Sequence, residues 1–185
     1  MERTEGSIGF PIGSKMPPFT LQATDGRIVS EMYFDGAKAS LIVFGCNHCP
    51  YVMGSEEMLI RTIRRFAPQG LRAVMINSND ASQYPEDSFE KMQEKAGRGD
   101  LPYAYLYDES QDVAKRFDAQ CTPECYLFDA SGALVYHGAV NDSPREPENV
   151  ERNFLAEAIE KALGGKRPDP AFVRPMGCSI KWRRI

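Results

Sequence analysis

Cys46-Asn47-His48-Cys49 places two thiols three residues apart with an imidazole between them. Two such sulfurs can close a small, reducible disulfide, and the reactive form of either is the thiolate. Leu41-Ile42-Val43-Phe44 reads as a buried strand ended by Gly45, and Met53, Met58, Leu59, Ile63 and Phe66 follow at helical spacing. The thiols therefore sit at a strand-to-helix corner, where the partial positive charge of the helix N-terminus favours ionised sulfur. Pro50 disfavours helical geometry at the residue before it, so the regular helix is expected to begin at Pro50, bringing Cys49 rather than Cys46 close to the dipole. A protonated His48 would stabilise a nearby thiolate and make the pair more oxidising.

The elements that must hold this corner follow from pattern. Phe19 to Ala23, the Asp25-Gly26 turn and Arg27 to Val29 read as a hairpin. Leu71 to Ile76 is a second buried strand, running into the polar stretch Asn77-Ser78-Asn79-Asp80. Asp87 with Glu90 reads as a capped helix start, with Phe89, Met92 and Ala96 on one face. A short strand at Tyr103 to Tyr107 and a short helix opened by Ser110, carrying Val113, Ala114 and Phe117, come next. Cys125 to Phe128 and Ala133 to Tyr136 are strands joined at Ser131-Gly132. Val150, Phe154, Leu155, Ala158, Ile159 and Leu163 form the stripe of a last helix that ends at Gly164-Gly165. A Pro-rich, basic tail with a strand at Ser179 to Trp182 closes the chain. Strands alternating with helices imply an α/β fold with a central mixed sheet flanked by helices. A single domain over residues 1–185 is expected, with 164–185 as an extended C-terminal tail.

Net charge is −4 with acids and bases interspersed, which gives no electrostatic case for nucleic acid or an anionic membrane. No apolar run approaches the roughly 20 residues a membrane helix needs. Met1 to Gly6 lack the basic-then-apolar order of a signal peptide, so a soluble cytoplasmic protein is expected. Five cysteines do not make an even secreted framework; in a reducing compartment they are catalytic, metal-binding or buried.

Phe44 to Val52, Tyr84-Pro85-Glu86-Asp87, Cys121-Thr122-Pro123 with Leu127-Phe128-Asp129, Tyr136-His137-Gly138, Asn141-Asp142 and Gly177 to Trp182 carry a resemblance. On these stretches the chain resembles the thioredoxin-like superfamily, in the redoxin branch related to peroxiredoxins and alkyl hydroperoxide reductase. The resemblance implies a thiol-disulfide oxidoreductase with Cys46 as an exposed nucleophile and Cys49 as the resolving thiol. It implies a cis bond at Pro123, and a site lined by Asn47 and by Thr122, whose backbone pairs with a substrate strand. His48 stands where protein disulfide isomerases also carry His, implying a potential above that of thioredoxin, roughly −230 to −150 mV. The buried Asp that assists the second cysteine of thioredoxin is replaced by Ser40, which leaves Glu124 as a candidate base. Protein or low-molecular-weight thiols and disulfides are the implied partners, with a thioredoxin- or glutathione-type electron donor, no cofactor, and a monomeric or homodimeric state.

Two other readings attach to the same residues. Cys49-Pro50 matches the peroxidatic cysteine of peroxiredoxins, but the supporting Thr or Ser three residues earlier and Pro seven earlier are Cys46 and Ile42 here. Alternatively Cys46, His48 and Cys49 could hold zinc, completed by Cys121, Cys125, His137 or Cys178. Cys178 and Cys121 are candidates for a further redox role, whereas Cys125 and His137 read as packing residues.

Overall fold

The computed structural model of the chain describes residues 10–184. Its central strand is β3 (Ala39–Phe44), six residues that are all buried. β3 pairs in parallel with β4 (Leu71–Asn77) and antiparallel with β7 (Glu124–Asp129), so it has a neighbour on each side and helices over both faces. Beyond β4 come β5 (Ala104–Tyr107) and the hairpin β1 (Thr20–Ala23) and β2 (Ile28–Ser30). Beyond β7 come β8 (Leu134–Gly138) and the short β9 (Phe172–Val173), giving the order β2-β1-β5-β4-β3-β7-β8-β9. The sheet is mixed, as the alternation of strands and helices implies.

Alternation along β3 divides the core. Leu41 and Val43 pack with Leu59, Ile63 and Phe66 of α1 (Pro50–Phe66), Met92 of α2 (Phe89–Arg98), and Leu155 and Ile159 of α4 (Phe154–Leu163). Ile42 and Phe44 face the other way, against Val113 and Ala114 of α3 (Asp112–Arg116), Phe117, Tyr126 and Phe128. Successive side chains on a strand point to opposite faces, so the unbroken apolar run Leu41 to Phe44 is what a sheet covered on both faces requires. Truncating Leu41 or Ile42 to Ala would cost about 2–5 kcal/mol. Among the described residues no helix is long and apolar enough to cross a membrane.

Several boundaries differ from the sequence expectation. α2 is capped by Ser88, whose Oγ accepts from Lys91 N at 3.3 Å, and Asp87 is buried elsewhere. α4 begins at Phe154 because Asn153 Oδ1 accepts from Ala156 N at 2.9 Å, which leaves Val150 ahead of the helix. The tail is not merely extended. β9 joins the main sheet in parallel with β8, where Gly138 has φ +136° and a Cβ would lie 1.7 Å from the Val173 carbonyl oxygen. The strand expected at Ser179 to Trp182 is instead β10 (Cys178–Ser179), paired antiparallel with β6 (Cys121–Thr122).

Candidate active site

Cys46 follows β3, whose ladder continues through Gly45 N, donating to Ile76 O at 3.0 Å. Cys49 is the N-cap of α1 with φ −70° and ψ 125°, and Pro50 occupies the first turn. The proline forbids helical backbone at Cys49, and a 17-residue helix therefore starts immediately after this sulfur. Both thiols are buried at 1% exposure, so Cys46 is not the exposed nucleophile that the resemblance implies.

Around the sulfurs stand Thr122, Cys178 and Asp87. Cys46 Sγ is 3.7 Å from Thr122 Oγ1, and Cys49 Sγ is 3.3 Å from the Thr122 carbonyl oxygen. Cys178 packs against Cys46 and Cys49 from the tail. The Asp87 carboxylate, fully buried, accepts from Asn47 N at 2.8 Å and from Asn79 Nδ2 at 2.7 Å. Asn77 Nδ2 donates to the Asp87 carbonyl at 2.8 Å, fixing its backbone. His48 Nδ1 lies 2.5 Å from Asp87 Oδ2, and the ring stacks on Tyr84 at 5.8 Å.

This asymmetry decides which sulfur ionises. Hydrogen bonding from the Cys46 thiol above all, then from Cys178, the Thr122 hydroxyl and the Val52 N–H, outweighs burial and lowers Cys49 to about 4. Cys46 moves the opposite way. Its bond to the Cys49 anion, then burial, then the Asp87 charge push it far above the usual thiol range. The Thr122 carbonyl can accept only from a Cys49 thiol; on ionisation the donors take over. One proton is thus held on Cys46 while the helix-capping sulfur carries the charge.

The family model described as Redoxin matches residues 11–153. The chain belongs to the redoxin family. It is similar to an uncharacterized conserved protein from Geobacillus kaustophilus, with a TM-score of 0.88, 40% identity, and coverage of 96% of this chain and 95% of that one. The thioredoxin domain of a thiol-disulfide oxidoreductase from Bacteroides vulgatus shares the fold at a TM-score of 0.57 and 21% identity, over 70% of this chain and 89% of that domain. Chloroplastic peroxiredoxin Q from Oryza sativa subsp. japonica is 25% identical over 131 residues, 67% of this chain. The redoxin spans 57% of that relative's length.

Several expected roles are redistributed in this redoxin. Asn47 is committed internally, donating through Nδ2 to Glu86 O at 2.9 Å and accepting from Tyr105 OH at 2.7 Å, so its side chain is not free for substrate. Thr122 keeps its place at the sulfurs, but its backbone already pairs with Cys178. The Thr122–Pro123 peptide is cis. Glu124 is not a base for Cys49. It accepts from Gln120 N at 2.7 Å, Cys121 N at 3.1 Å and Tyr126 OH at 3.0 Å, and pairs with His137 Nε2 at 2.6 Å. Cys125 is fully buried, and burial followed by the Glu124 charge pushes its thiol and that of Cys121 well up.

The zinc set is rearranged as well. Cys46 and His48 share their corner with Asp87, the three ligand atoms lying within 4.8 Å of one another, while His137 is held by Glu124. Tetrahedral ligands about 2.0–2.2 Å from zinc stand more than about 3 Å apart. At 2.5 Å, His48 Nδ1 and Asp87 Oδ2 stand too close together to be two ligands of one tetrahedral zinc. Asp87, Asn79 and Asn77 are not among the site residues expected from the sequence, where turn chemistry explains the polar run equally well. The polar run after β4 and the Tyr84-Pro85-Glu86-Asp87 stretch are the signals that point to them.

Proposed function

We propose that this redoxin exchanges a Cys46–Cys49 disulfide with thiols and disulfides, and that Cys49 rather than Cys46 is the attacking thiolate. The observation that supports this reading most is the helix-capping Cys49 sulfur, ionised against a protonated Cys46. The Cys49 thiolate attacks one sulfur of a small disulfide and expels the other as a thiolate. Cys46 then gives up its proton beside Asp87 and His48 and attacks Cys49 Sγ in the mixed disulfide. The Cys46–Cys49 bond forms and the second substrate thiolate leaves, so two electrons pass from protein to substrate. Electrons return from a thioredoxin- or glutathione-type dithiol or thiol in the cytoplasm, where such pools are maintained. A stabilised Cys49 thiolate favours the reduced form, in keeping with a potential above thioredoxin's, roughly −230 to −150 mV.

A peroxidase reading is favoured by one specific feature. The ionised sulfur is the one followed by Pro50, and peroxiredoxin Q is a relative. A peroxide is small enough for a buried thiolate. Attack on its O–O bond would leave a sulfenic acid on Cys49 and expel the other oxygen as water or an alcohol; the sulfenic acid then condenses with the Cys46 thiol and releases water.

The parent, Cys46→Ser and Cys49→Ser separate the two when assayed with a low-molecular-weight disulfide and with peroxide plus a dithiol donor. Disulfide turnover lost in both variants is the expected result. Fast peroxide turnover that survives Cys46→Ser and is lost only in Cys49→Ser would replace exchange with peroxide reduction.

A further inference from the structure

A third sulfur is held at this corner by a strand built for the purpose. Cys178 pairs with Thr122 and Ser179 with Cys121, which places the tail in the position alongside Thr122 where a substrate strand would add. The approach is so close that a Cβ on Gly177 would lie 2.1 Å from the Thr122 carbonyl oxygen, a contact only glycine escapes. The segment beyond is pinned. Ile180 is buried and donates through its N–H to Gln120 O at 3.1 Å, while Lys181 N donates to Asn79 Oδ1 at 2.9 Å. Asn79 also donates to Asp87, so a single side chain ties the tail to the carboxylate beside Cys46. Cys178 touches Cys49 and is only partly buried, whereas Cys46 and Cys49 are sealed. A folded protein partner therefore meets Cys178 before either sulfur of the pair.

We propose that Cys178 is a third redox cysteine, an internal relay that carries the disulfide from the sealed Cys46–Cys49 pair to the surface. This rests on the exchange reading and extends it to the route by which a protein dithiol regenerates the site. The Cys178 thiolate attacks Cys49 Sγ in the Cys46–Cys49 disulfide. A Cys49–Cys178 bond forms, the Cys46–Cys49 bond breaks, and Cys46 leaves as a thiolate that takes the proton Cys178 gave up. No oxidant or reductant is consumed in this transfer. A partner dithiol then attacks Cys178 Sγ and expels the Cys49 thiolate. The partner's second thiol closes on the mixed disulfide and expels Cys178, so the partner leaves oxidised and the protein reduced.

The electrostatics favour the partner's step, in which Cys49 is expelled, while the internal transfer expels Cys46 and depends on the proton passed to it from Cys178. Of the three sulfurs Cys49 is the most acidic, at about 4, and hence the best leaving group. Burial and then contact with Cys49 push Cys178 up to about 11. The second of these influences relaxes once Cys49 is bonded in a disulfide, freeing Cys178 to attack.

The test oxidises the full chain with one equivalent of a small disulfide, quenches in acid, alkylates free thiols and maps linked peptides by mass spectrometry. A Cys49–Cys178 link is expected beside Cys46–Cys49 in the parent, and as the protein's internal link in Cys46→Ser. Cys178→Ser should still form Cys46–Cys49, with its reduction by a thioredoxin-type protein slowed by about tenfold or more. Absence of the Cys49–Cys178 link from both the parent and Cys46→Ser overturns the relay without reference to how Cys178→Ser folds. A Cys46–Cys49 bond that Cys178→Ser forms and loses at the parental rate overturns the relay alone. Failure of both the parent and Cys178→Ser to form Cys46–Cys49 overturns the relay together with the exchange reading beneath it.

Discussion

Cys46, Cys49 and Cys178 meet at one corner, while Cys121 and Cys125 flank Pro123 a short way along the chain; the five sulfurs have very different company. At the first place a helix begins, thiols and a hydroxyl donate, and Asp87 stands to one side, so charge is concentrated on Cys49. At the second the nearest charge is Glu124, an anion already fixed by two backbone N–H groups, Tyr126 and His137. There an extra negative charge is opposed, and burial opposes it further. All are cysteines near one proline loop. What separates a reactive thiolate from an inert small hydrophobe is the sign of the neighbouring charge and the supply of donors.

Removing Cys49 breaks the comparison at its strongest point. Cys49→Ser should lower the rate of disulfide exchange by about a thousandfold or more, since the anion itself is lost. Rapid alkylation of the reduced protein at neutral pH should disappear with it. If the alkylation rate is unchanged, the charge resides on another sulfur.

Acidity should divide the two groups by slope. Cys49 titrates at about 4 in the folded protein, against about 8.5 for an ordinary thiol. Its contribution to stability is full above about 8.5, shrinks as pH falls and is gone below about 4. Cys121 and Cys125 are raised instead, so their contribution is present below about 8.5 and is lost as pH rises beyond it. Denaturant unfolding of the reduced parent against Cys49→Ser should show the variant losing the rise between acid and neutral pH. An identical slope in both would contradict the assignment.

Asp87→Asn sharpens the contrast by making the reactive corner less asymmetric. The amide can keep contact with Asn47 N, but the charge that adds to the Cys49 bond and to burial in holding the proton on Cys46 is removed. The reduced form then carries its thiolate more easily, and the midpoint potential of the pair should rise by roughly 30 mV. A potential that moves downward would mean that Asp87 stabilises the disulfide in some other way.

Much of the reactive corner is legible in sequence because its causes are local. Four apolar residues, a glycine, two cysteines and a proline dictate a strand, a stop and a helix beginning at Pro50, and that places Cys49 on the cap. Asp87 is not legible by the same means. Asp87 and Ser88 are both residues that cap helices, and only tertiary burial decides that Ser88 caps while Asp87 turns toward the thiols. The tail escapes for another reason. A two-residue strand has no periodicity, and its position depends on Gly177 meeting a carbonyl 55 residues earlier in the chain. Glu124 was open to misreading because all its long-range commitment, to His137 on β8, lies in the third dimension.

The smallest effect is expected where the second group is tested directly. Cys125 lies on β7 with its side chain on the face that carries Leu41, Val43 and α1, and it is fully enclosed. Cys125→Ala removes one sulfur from a packed site, which should cost about 1 kcal/mol in stability, and it leaves every donor to Cys49 in place. Exchange activity should stay within about twofold of the parent, because neither the helix cap nor the tail strand is touched. A large loss of turnover at unchanged stability would mean that Cys125 joins the sulfur chemistry, and the boundary between the two groups would have to be redrawn on the far side of Pro123.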